Sequence, residues 1–380
     1  MFSDVLIVGG GVSGIFAALL ASKQRKVTII EKPGRNFQLG KRILVSGNGR
    51  ANFFNEDILK KETYSDPLFS DLKEVVFDEK GAWAEKTLDY LTQELGFSYY
   101  QEGKLFYPFF NRSECLYQLL ISQLKRQQVN VIEGNVISVD AEKKICNYLT
   151  LDRQKKTLYY EDAVIATGGR SFDRPDYSYS LLDSLGLAYQ DYSPCLCPII
   201  VKERIPSYLR NNRLKGTVSL YHKKELIHQE EGEILFKEDG LSGIAIFNTT
   251  VYINQLLDEH QDDVTLLLDY RKHDGYSITG NTSLDCYPSF LAQYLKDCSY
   301  KPGVPLKFTF QDLYSFKYSQ VSYGGISLKE IDLRTMQSKK KPSLYLCGEI
   351  LNQNFPCGGY NMGYSMVEGY KTGVSLWKNN

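Results

Sequence analysis

The apolar residues of the N-terminal region form short runs that end at glycines. Val5–Val8 is an uninterrupted apolar run of the kind found in strands buried on both faces, and it leads directly into the glycine-rich segment Gly9–Gly14. The apolar run Ile15–Ala21 then favours a buried helix, and Val27–Ile30 predicts a second strand. The pattern therefore predicts a strand–turn–helix–strand unit at the start of the chain.

The same strand-to-glycine pattern occurs twice more. Ala163–Gly169 is an apolar run that ends in two glycines, and Ser343–Cys347 runs into Gly348 and Glu349. Small or apolar residues at helical spacing follow, at Met362, Ser365, Met366, Gly369, Gly373 and Leu376. Three such segments in one chain indicate a single α/β fold.

The periodicity of the intervening chain predicts further elements. Helical spacing covers Ala84–Gly96 and Ser113–Gln127, and short strands are predicted at Lys104–Tyr107 and Val129–Glu133. A β-meander is predicted before the strand that starts at Ala163, with strands Val136–Val139, Cys146–Leu151 and Thr157–Tyr160.

The first glycine segment has the spacing of a dinucleotide-binding turn. Gly9 suits the tight turn, Gly11 lets the backbone approach a pyrophosphate, and Gly14 lets the helix pack against the strand. Glu31 ends the second strand, where a carboxylate accepts hydrogen bonds from a ribose diol. The alternative is a chance glycine-rich turn, and Glu31 alone does not separate FAD from NAD.

The C-terminal glycines favour a flavin. Reduced flavin carries negative charge on one edge of its ring, and unpaired N–H groups at a helix start stabilise such charge. Gly358 and Gly359 permit close backbone approach just before that helix. The alternative is an ordinary core helix. The segment Gly40–Phe53 carries Lys41, Arg42 and Arg50, which could bind pyrophosphate or simply form a surface loop.

The composition narrows the choice of protein class. The chain has 380 residues, of which 43% are hydrophobic, and 45 basic and 45 acidic side chains give zero net charge. Long disorder is therefore disfavoured, and nucleic acid is an unfavoured partner. Eight cysteines without a CxxC pair and four histidines without ligand spacing predict no metal site. Without a long apolar stretch or a basic leader, we expect a cytoplasmic protein that does not enter the membrane.

Several segments, taken in order along the whole chain, resemble the HI0933-like flavoproteins, which are described as NAD(P)/FAD-dependent oxidoreductases and as the aminoacetone oxidase family. The matching segments are Gly9–Gly14, Gly40–Asn52, Ala166–Gly169, Leu235–Gly243, Gly324–Ile331 and Gly348–Asn361.

The resemblance implies an α/β fold: a glutathione-reductase-type Rossmann FAD domain with an inserted small β-barrel and a helical insert. It places the discontinuous FAD-binding domain at 1–190 and 326–380. The β-barrel domain is expected at 191–240 and 305–325, and the helical insert at 241–304. A late strand ending in Gly-Asp meets the flavin's sugar chain in such proteins, and here Glu349 keeps the charge.

The chain departs from the family pattern at three places. Ala51 stands where members usually have Cys, and Glu238 stands where they usually have His. The segment Ser171–Tyr179 replaces a glycine-rich stretch. These departures fall where a substrate would approach, whereas the cofactor motifs are intact.

The motifs and the resemblance together predict a set of cofactor contacts, including backbone near Val136 for the adenine ring. The set consists of Gly9, Gly11, Val12, Ser13, Gly14, Glu31, Lys32, Lys41, Arg42, Ser46, Gly47, Gly49, Arg50, Asn52, Val136, Ala166, Thr167, Gly168, Gly348, Glu349, Gly358, Gly359, Tyr360, Asn361 and Met362.

The predicted function is a FAD-dependent oxidoreductase that acts on a small organic substrate, with hydride transfer to or from N5 of the flavin. A single GxGxxG leaves no second Rossmann domain for a nicotinamide. Either a small amine reduces FAD and oxygen reoxidises it, or NAD(P)H docks transiently and the enzyme reduces an alkene or similar acceptor. The candidate acid–base residues are Glu238, Tyr360 and Arg50, and Cys357 is a weaker candidate.

A different class of protein stays open at this point. The chain could be a flavin-binding sensor or partner protein, or a relative of FAD-dependent RNA-modifying enzymes that lacks oxidase activity of its own. The sequence leaves the substrate, the electron acceptor and the oligomeric state open.

Overall fold

The structure is a computed structural model and describes residues 1–34, 37–171, 179–261, 263–273, 275–278 and 282–377. Most of the predicted 171–179 departure therefore lies outside the described residues. The helices are α1 (Val12–Ala21), α2 (Lys41–Val45), α3 (Lys73–Val76), α4 (Trp83–Asp89), α5 (Ser113–Arg126), α6 (Ser180–Leu185), α7 (Ile244–Asp258), α8 (Ser289–Asp297) and α9 (Tyr360–Ser375).

The strands range from two-residue pairs to the long strands of the barrel. They are β1 (Phe2–Val8), β2 (Val27–Glu31), β3 (Phe54–Asn55), β4 (Phe77–Asp78), β5 (Gly81–Ala82), β6 (Tyr99–Glu102), β7 (Leu105–Pro108), β8 (Asn130–Glu133), β9 (Asn135–Asp140), β10 (Ile145–Leu149), β11 (Lys155–Ile165), β12 (Tyr189–Cys195), β13 (Ile199–Val201), β14 (Arg213–His222), β15 (Glu225–Phe236), β16 (Gly240–Ser242), β17 (Val264–Asp269), β18 (Lys272–His273), β19 (Tyr276–Ser277), β20 (Leu306–Leu313), β21 (Val321–Ile326), β22 (Ile331–Asp332), β23 (Gln337–Ser338) and β24 (Leu344–Leu346).

The main sheet brings the three glycine-ended strands together. Its order is β22-β23-β24-β11-β1-β2-β8, and β24, β11, β1, β2 and β8 run parallel to one another. Val5–Val8 and Leu344–Leu346 are buried, as expected for strands covered on both faces. The carboxyl ends of β1, β11 and β24 therefore lie side by side at one edge of the sheet.

One expectation about the meander is wrong. The third meander strand, predicted at Thr157–Tyr160, and the strand predicted at Ala163 are a single element, β11. Its first half pairs antiparallel with β10, and much of its length pairs in parallel with β1. Because Glu161 and Asp162 interrupt the apolar pattern without ending the strand, the sequence suggested two elements.

A hydrophobic core separate from that of the main sheet lies in a closed barrel of β13, β16, β15, β14, β17 and β20. The range predicted as a helical insert contains α7 and α8 but also contributes β17, which pairs with β14 and β20 inside the barrel. In contrast, β21 pairs with β12 outside the barrel. The placement of these strands differs from the predicted ranges, and the domain boundaries stay a prediction.

Helices α1 and α9 pack closely because α9 has glycines at the contact. A Cβ at Gly369 would lie 2.3 Å from the carbonyl oxygen of Ser13, and one at Gly373 would lie 2.5 Å from Cβ of Leu20. Residue numbers increase in the same direction along both helices at these contacts, so the two helices are parallel.

Candidate flavin-binding site

The first glycine turn leaves space where a phosphate would bind. A Cβ at Gly9 would lie 2.4 Å from the carbonyl oxygen of Ala166, and one at Gly14 would lie 2.1 Å from the carbonyl oxygen of Gly9. A Cβ at Gly11, in contrast, would meet only one atom, at 4.0 Å. Gly9 and Gly14 thus serve packing, whereas Gly11 opens the start of α1. This arrangement fits a pyrophosphate bound by the helix N–H groups, including those of Val12 and Ser13.

Glu31 points back to this turn from the end of β2. Its Oε2 accepts a hydrogen bond from the N–H of Gly10 at 2.5 Å. The backbone of Glu31 also accepts from the N–H of Gly134 at 2.9 Å, where the chain turns into β9. Val136, predicted to meet the adenine ring, and Lys32 therefore lie near Glu31. Glu31, Lys32 and Val136 together are suited to contact an adenosine beside a pyrophosphate.

Glu349 joins the second and third glycine turns. Its carboxylate pairs with the Arg42 guanidinium at 2.5 Å and accepts from the N–H of Ser322 at 2.8 Å. A Cβ at Gly169 would lie 2.7 Å from its Oε1, so the turn that contains Thr167 and Gly168 lies against it. The prediction that Arg42 and Glu349 share one site is consistent with this contact, and their roles stay a prediction.

The start of α9 presents backbone N–H groups next to tightly placed glycines. Gly359 has φ +85°, and a Cβ there would lie 2.5 Å from the carbonyl oxygen of Phe54. Asn52 lies at the same turn. In the amide orientation that satisfies both of its polar atoms, its nitrogen donates to the carbonyl oxygen of Phe54 and its oxygen accepts from the N–H of Gly359, both at 3.2 Å. Among the described residues, the N–H groups of Tyr360, Asn361 and Met362 have no acceptor. They fit the negatively polarised edge of a flavin ring.

The packing of α1 against α9 sets the distance between the two helix starts. Gly369 meets Ser13, but Gly369 lies nine residues after the start of α9 and Ser13 only one after the start of α1. At about 1.5 Å per residue, the start of α9 therefore lies roughly 12 Å before the start of α1, measured along their common N-to-C direction. A ligand with a diphosphate at one end and a ring at the other suits this spacing.

The basic segment divides between the site and a neighbouring hairpin. Ser46 donates to the carbonyl oxygen of Ile43 at 2.7 Å, and Gly47 packs against Asn52, whereas Gly49 and Lys41 face open space. The segment continues into Arg50. Its side chain hydrogen-bonds Asn111, Tyr100 and Glu102, and the guanidinium lies 4.2 Å from the ring centre of Tyr107. The hairpin of β6 and β7 therefore holds Arg50, and this geometry gives no support to a catalytic role.

The other two catalytic candidates have different surroundings. Glu238 is 79% exposed and pairs with Arg210 at 2.9 Å in the turn between β15 and β16. Tyr360 donates to Asp57 at 2.8 Å, and burial together with this bond raises the pKa of Tyr360. Sequence reasoning missed Asp57, which is recognisable only once Tyr360 is placed beside it.

Sequence reasoning also missed a buried carboxyl behind the third glycine turn. Glu368 of α9 accepts from the N–H of Gly348 and from Nε2 of Gln353, each at 2.6 Å. Burial raises the pKa of Glu368 to about 7. A Glu inside an otherwise small and apolar helix stripe was the available signal. The carboxyl fixes Gly348, whose Cβ position lies 2.4 Å from Oγ of Ser13.

The described residues offer neither a metal site nor a membrane span. Within them, no group of three or more His, Cys, Asp or Glu side chains could hold a metal ion. No described helix combines the length and apolar character needed to cross a bilayer.

The fold and this site define the class: a flavoprotein oxidoreductase with a glutathione-reductase-type FAD-binding Rossmann domain. Residues 3–375 match the family model described as the HI0933-like protein Rossmann domain. The chain belongs to the HI0933-like family.

Two curated relatives align with nearly the whole chain. The chain is 26% identical to the 3-dehydro-bile acid delta(4,6)-reductase of Clostridium scindens, with 97% of each chain covered. It is also 26% identical to the ribosomal RNA dihydrouridine synthase of Escherichia coli, with 95% of each covered. Among solved structures, the 3-ketosteroid delta1-dehydrogenase of Sterolibacterium denitrificans has the same fold, with a TM-score of 0.56, 12% identity and 99% of each chain covered.

Proposed function

We propose that the protein is a FAD-dependent reductase that saturates a carbon–carbon double bond conjugated to a carbonyl group. The observation that carries the proposal is the convergence of three glycine turns with the free start of α9, in a chain of the HI0933-like family. The electrons would come from NAD(P)H or another two-electron donor.

The names of the two relatives support this reaction class. A 3-dehydro-bile acid delta(4,6)-reductase and a dihydrouridine synthase differ in substrate, but both names describe the removal of a double bond from a ring. In uridine and in a 3-oxo-delta-4 steroid the double bond is conjugated to a carbonyl, which makes one of its carbons accept a hydride. The shared chemistry favours reduction over amine oxidation for this chain.

The cofactor contacts follow from the geometry. Bound FAD would carry two electrons, as a hydride, between the donor and the substrate. We propose that Gly11 and the start of α1 bind its diphosphate and that Glu31 binds the adenosine ribose. Glu349, held by Arg42, would bind the sugar chain, and the start of α9 would bind the ring edge. The remaining predicted contacts surround these groups.

The reaction is tested without knowledge of the natural electron donor. Purified protein should show the visible absorption of bound oxidised flavin. After anaerobic reduction with dithionite, it should be reoxidised by a conjugated enone such as 4-androstene-3,17-dione or 2-cyclohexenone, and the saturated ketone should form in equal amount. Reoxidation by oxygen alone, with no reaction toward any enone or uridine probe, would overturn the proposal and favour the amine oxidase route.

A second candidate is reduction of a uridine base within RNA, favoured by the 95% coverage of the dihydrouridine synthase. Against it stands the zero net charge, because RNA-binding enzymes use basic surfaces to bind phosphates. Reoxidation of the dithionite-reduced protein by ribosomal RNA, but not by the enones, would favour this candidate. If no probe and no donor reacts while FAD stays bound, the sensor or partner protein is favoured instead.

A further inference from the structure

The barrel presents a set of polar side chains to the start of α9. Helix α7 lies across β15, so that Ile244, Asn248 and Tyr252, each one turn apart, follow the strand. Gly232 permits this approach, because a Cβ there would lie 2.9 Å from Cγ2 of Ile244. Further along the same face of β15, the side chain of Glu230 meets Asn248.

Three hydrogen bonds connect the barrel to the residues before α9. Nε2 of His228 lies 3.1 Å from Oε2 of Glu230, and Oε1 of Glu230 accepts from Nδ2 of Asn248 at 2.9 Å. Oδ1 of Asn248 accepts from the N–H of Cys357 at 2.8 Å. We name this chain the His228–Glu230–Asn248 relay. Its last partner, Cys357, lies two residues before Gly359, so the relay ends beside the proposed binding site of the flavin ring.

The relay is buried at its Asn248 end and partly exposed to solvent at its His228 end. Asn248 is 6% exposed, whereas the side chains of His228 and Glu230 are 19% and 24% exposed. The His228 ring stacks on Tyr252 with ring centres 3.8 Å apart. Glu230 engages Nε2, and among the described residues Nδ1 of His228 has no hydrogen-bond partner. The ring is therefore oriented through one nitrogen, and the other is left for a ligand.

The electrostatics place Glu230 close to the same site. Burial raises the pKa of Cys357 to about 12, and the charges of Cys195 and Glu230 add to this effect. Glu230 also contributes to the raised pKa of Tyr360, after burial and Asp57. Two groups at the start of α9 thus lie within range of the Glu230 charge.

From this geometry we propose that His228 is the proton donor of the reductase, oriented by Glu230, while Asn248 fixes Glu230 to the start of α9. The proposal rests on the proposed function. Saturation of the double bond adds a hydride to one carbon and a proton to the other. Bound FAD would supply the hydride, with the electron pair of the two-electron donor. Nδ1 of His228 gives the proton to the carbon next to the carbonyl, and water reprotonates the ring. His228 is thus a catalytic residue, and Glu230 and Asn248 are positioning residues.

The experiment compares His228→Gln with His222→Gln, a control on the neighbouring strand β14 that is outside the relay. We expect both variants to retain FAD and to bind 4-androstene-3,17-dione with the wild-type Kd, measured from the change in flavin absorbance. Dithionite reduction should also be unchanged. Reoxidation of reduced His228→Gln by the enone should be slower by about 100-fold or more, as for loss of a general acid.

A second variant guards against misfolding. Glu230→Gln keeps the hydrogen-bonding shape, and kcat should fall by about tenfold while KM and FAD content stay unchanged. If wild type reacts and His228→Gln is reoxidised within about threefold of its rate, the relay has no role in proton transfer and the proposed function survives. If wild type reacts with no conjugated carbonyl probe, the proposed function and this inference both fail.

Discussion

The two sides of the candidate site are built from different parts of the chain. The proposed cofactor side is built mainly from backbone, namely the turns at Gly11 and Gly359 and the N–H groups of two helix starts, with a few carboxylates beside them. The barrel side consists of side chains, His228, Glu230 and Asn248, which come from a strand and a helix. A backbone site requires glycines at fixed spacing, whereas a side-chain site requires only that distant residues meet. The first kind can therefore be recognised in a sequence, and the second needs a structure.

The largest effect should come from filling the open side of the first turn. In Gly11→Val the side chain would extend into the space proposed for the diphosphate, while the turn keeps its fold because the φ of −72° is allowed for any residue. We expect FAD affinity to fall by more than about 100-fold, or about 2.7 kcal/mol, with little change in the Tm of the FAD-free protein. Gly34→Val, with no atom near its Cβ position, is the control. Full FAD occupancy in Gly11→Val would contradict the backbone description.

Removal of the Glu31 carboxylate, at the proposed ribose position, should lower FAD affinity by a smaller factor. Removal of a charge-assisted hydrogen bond in Glu31→Ala should weaken FAD binding by roughly 1.5–3 kcal/mol, about 10- to 150-fold. Titration of the FAD-free protein with FAD, followed by fluorescence quenching, measures this change. Unchanged affinity would mean that the ribose binds elsewhere.

Two buried asparagines of α7 allow the role of the barrel side to be tested. Asn248→Ala removes the contact to Cys357, whereas the control Asn254→Ala removes contacts to Pro194 and Ser193 instead. Each should cost about 1–3 kcal/mol in the free energy of unfolding, because buried polar partners are left unpaired. Only Asn248→Ala should slow reoxidation by the enone, by about tenfold. Equal rates in the two variants would show that the link to α9 has no bearing on the reaction.

The last prediction concerns the pH dependence of stability and not the reaction. The pKa of Glu368 is about 7 in the folded protein, above the ordinary value of 4.5. The folded state therefore binds more protons than the unfolded state between these values, so this group's contribution to stability falls as pH rises from about 4.5 to 7. Urea unfolding at pH 5, 6 and 7 gives the free energy of unfolding at each pH. A plot of this free energy against pH should have a less negative slope for Glu368→Gln than for wild type. Identical slopes would contradict the burial of an ionisable Glu368.

The strands and helices that form the proposed cofactor side are easier to predict from the sequence than those of the barrel. The strand ends at Val8 and Leu346 were recognisable because uninterrupted apolar runs lead into glycines. The strand β17 was missed because the barrel closes around it through partners distant in sequence. The acid–base candidates that the sequence offers are Glu238, Tyr360 and Arg50, and Glu238 is suggested by its place in a family motif. His228, the proposed proton donor, lies on the preceding strand β15 and carries no local signal, because its contacts depend on how α7 crosses the barrel.

The offset between the parallel helices α1 and α9 fixes the distance between their N-terminal ends, and so the length of ligand that can contact both. Because glycines lock the two helices together, neither start can slide toward the other to accommodate something shorter. A mononucleotide such as FMN has a ring and one phosphate but no adenylate half, so it would have no ribose to place against Glu31. We therefore expect the preference for FAD over FMN to depend on the packing of the two helices and not on a side chain beside the isoalloxazine.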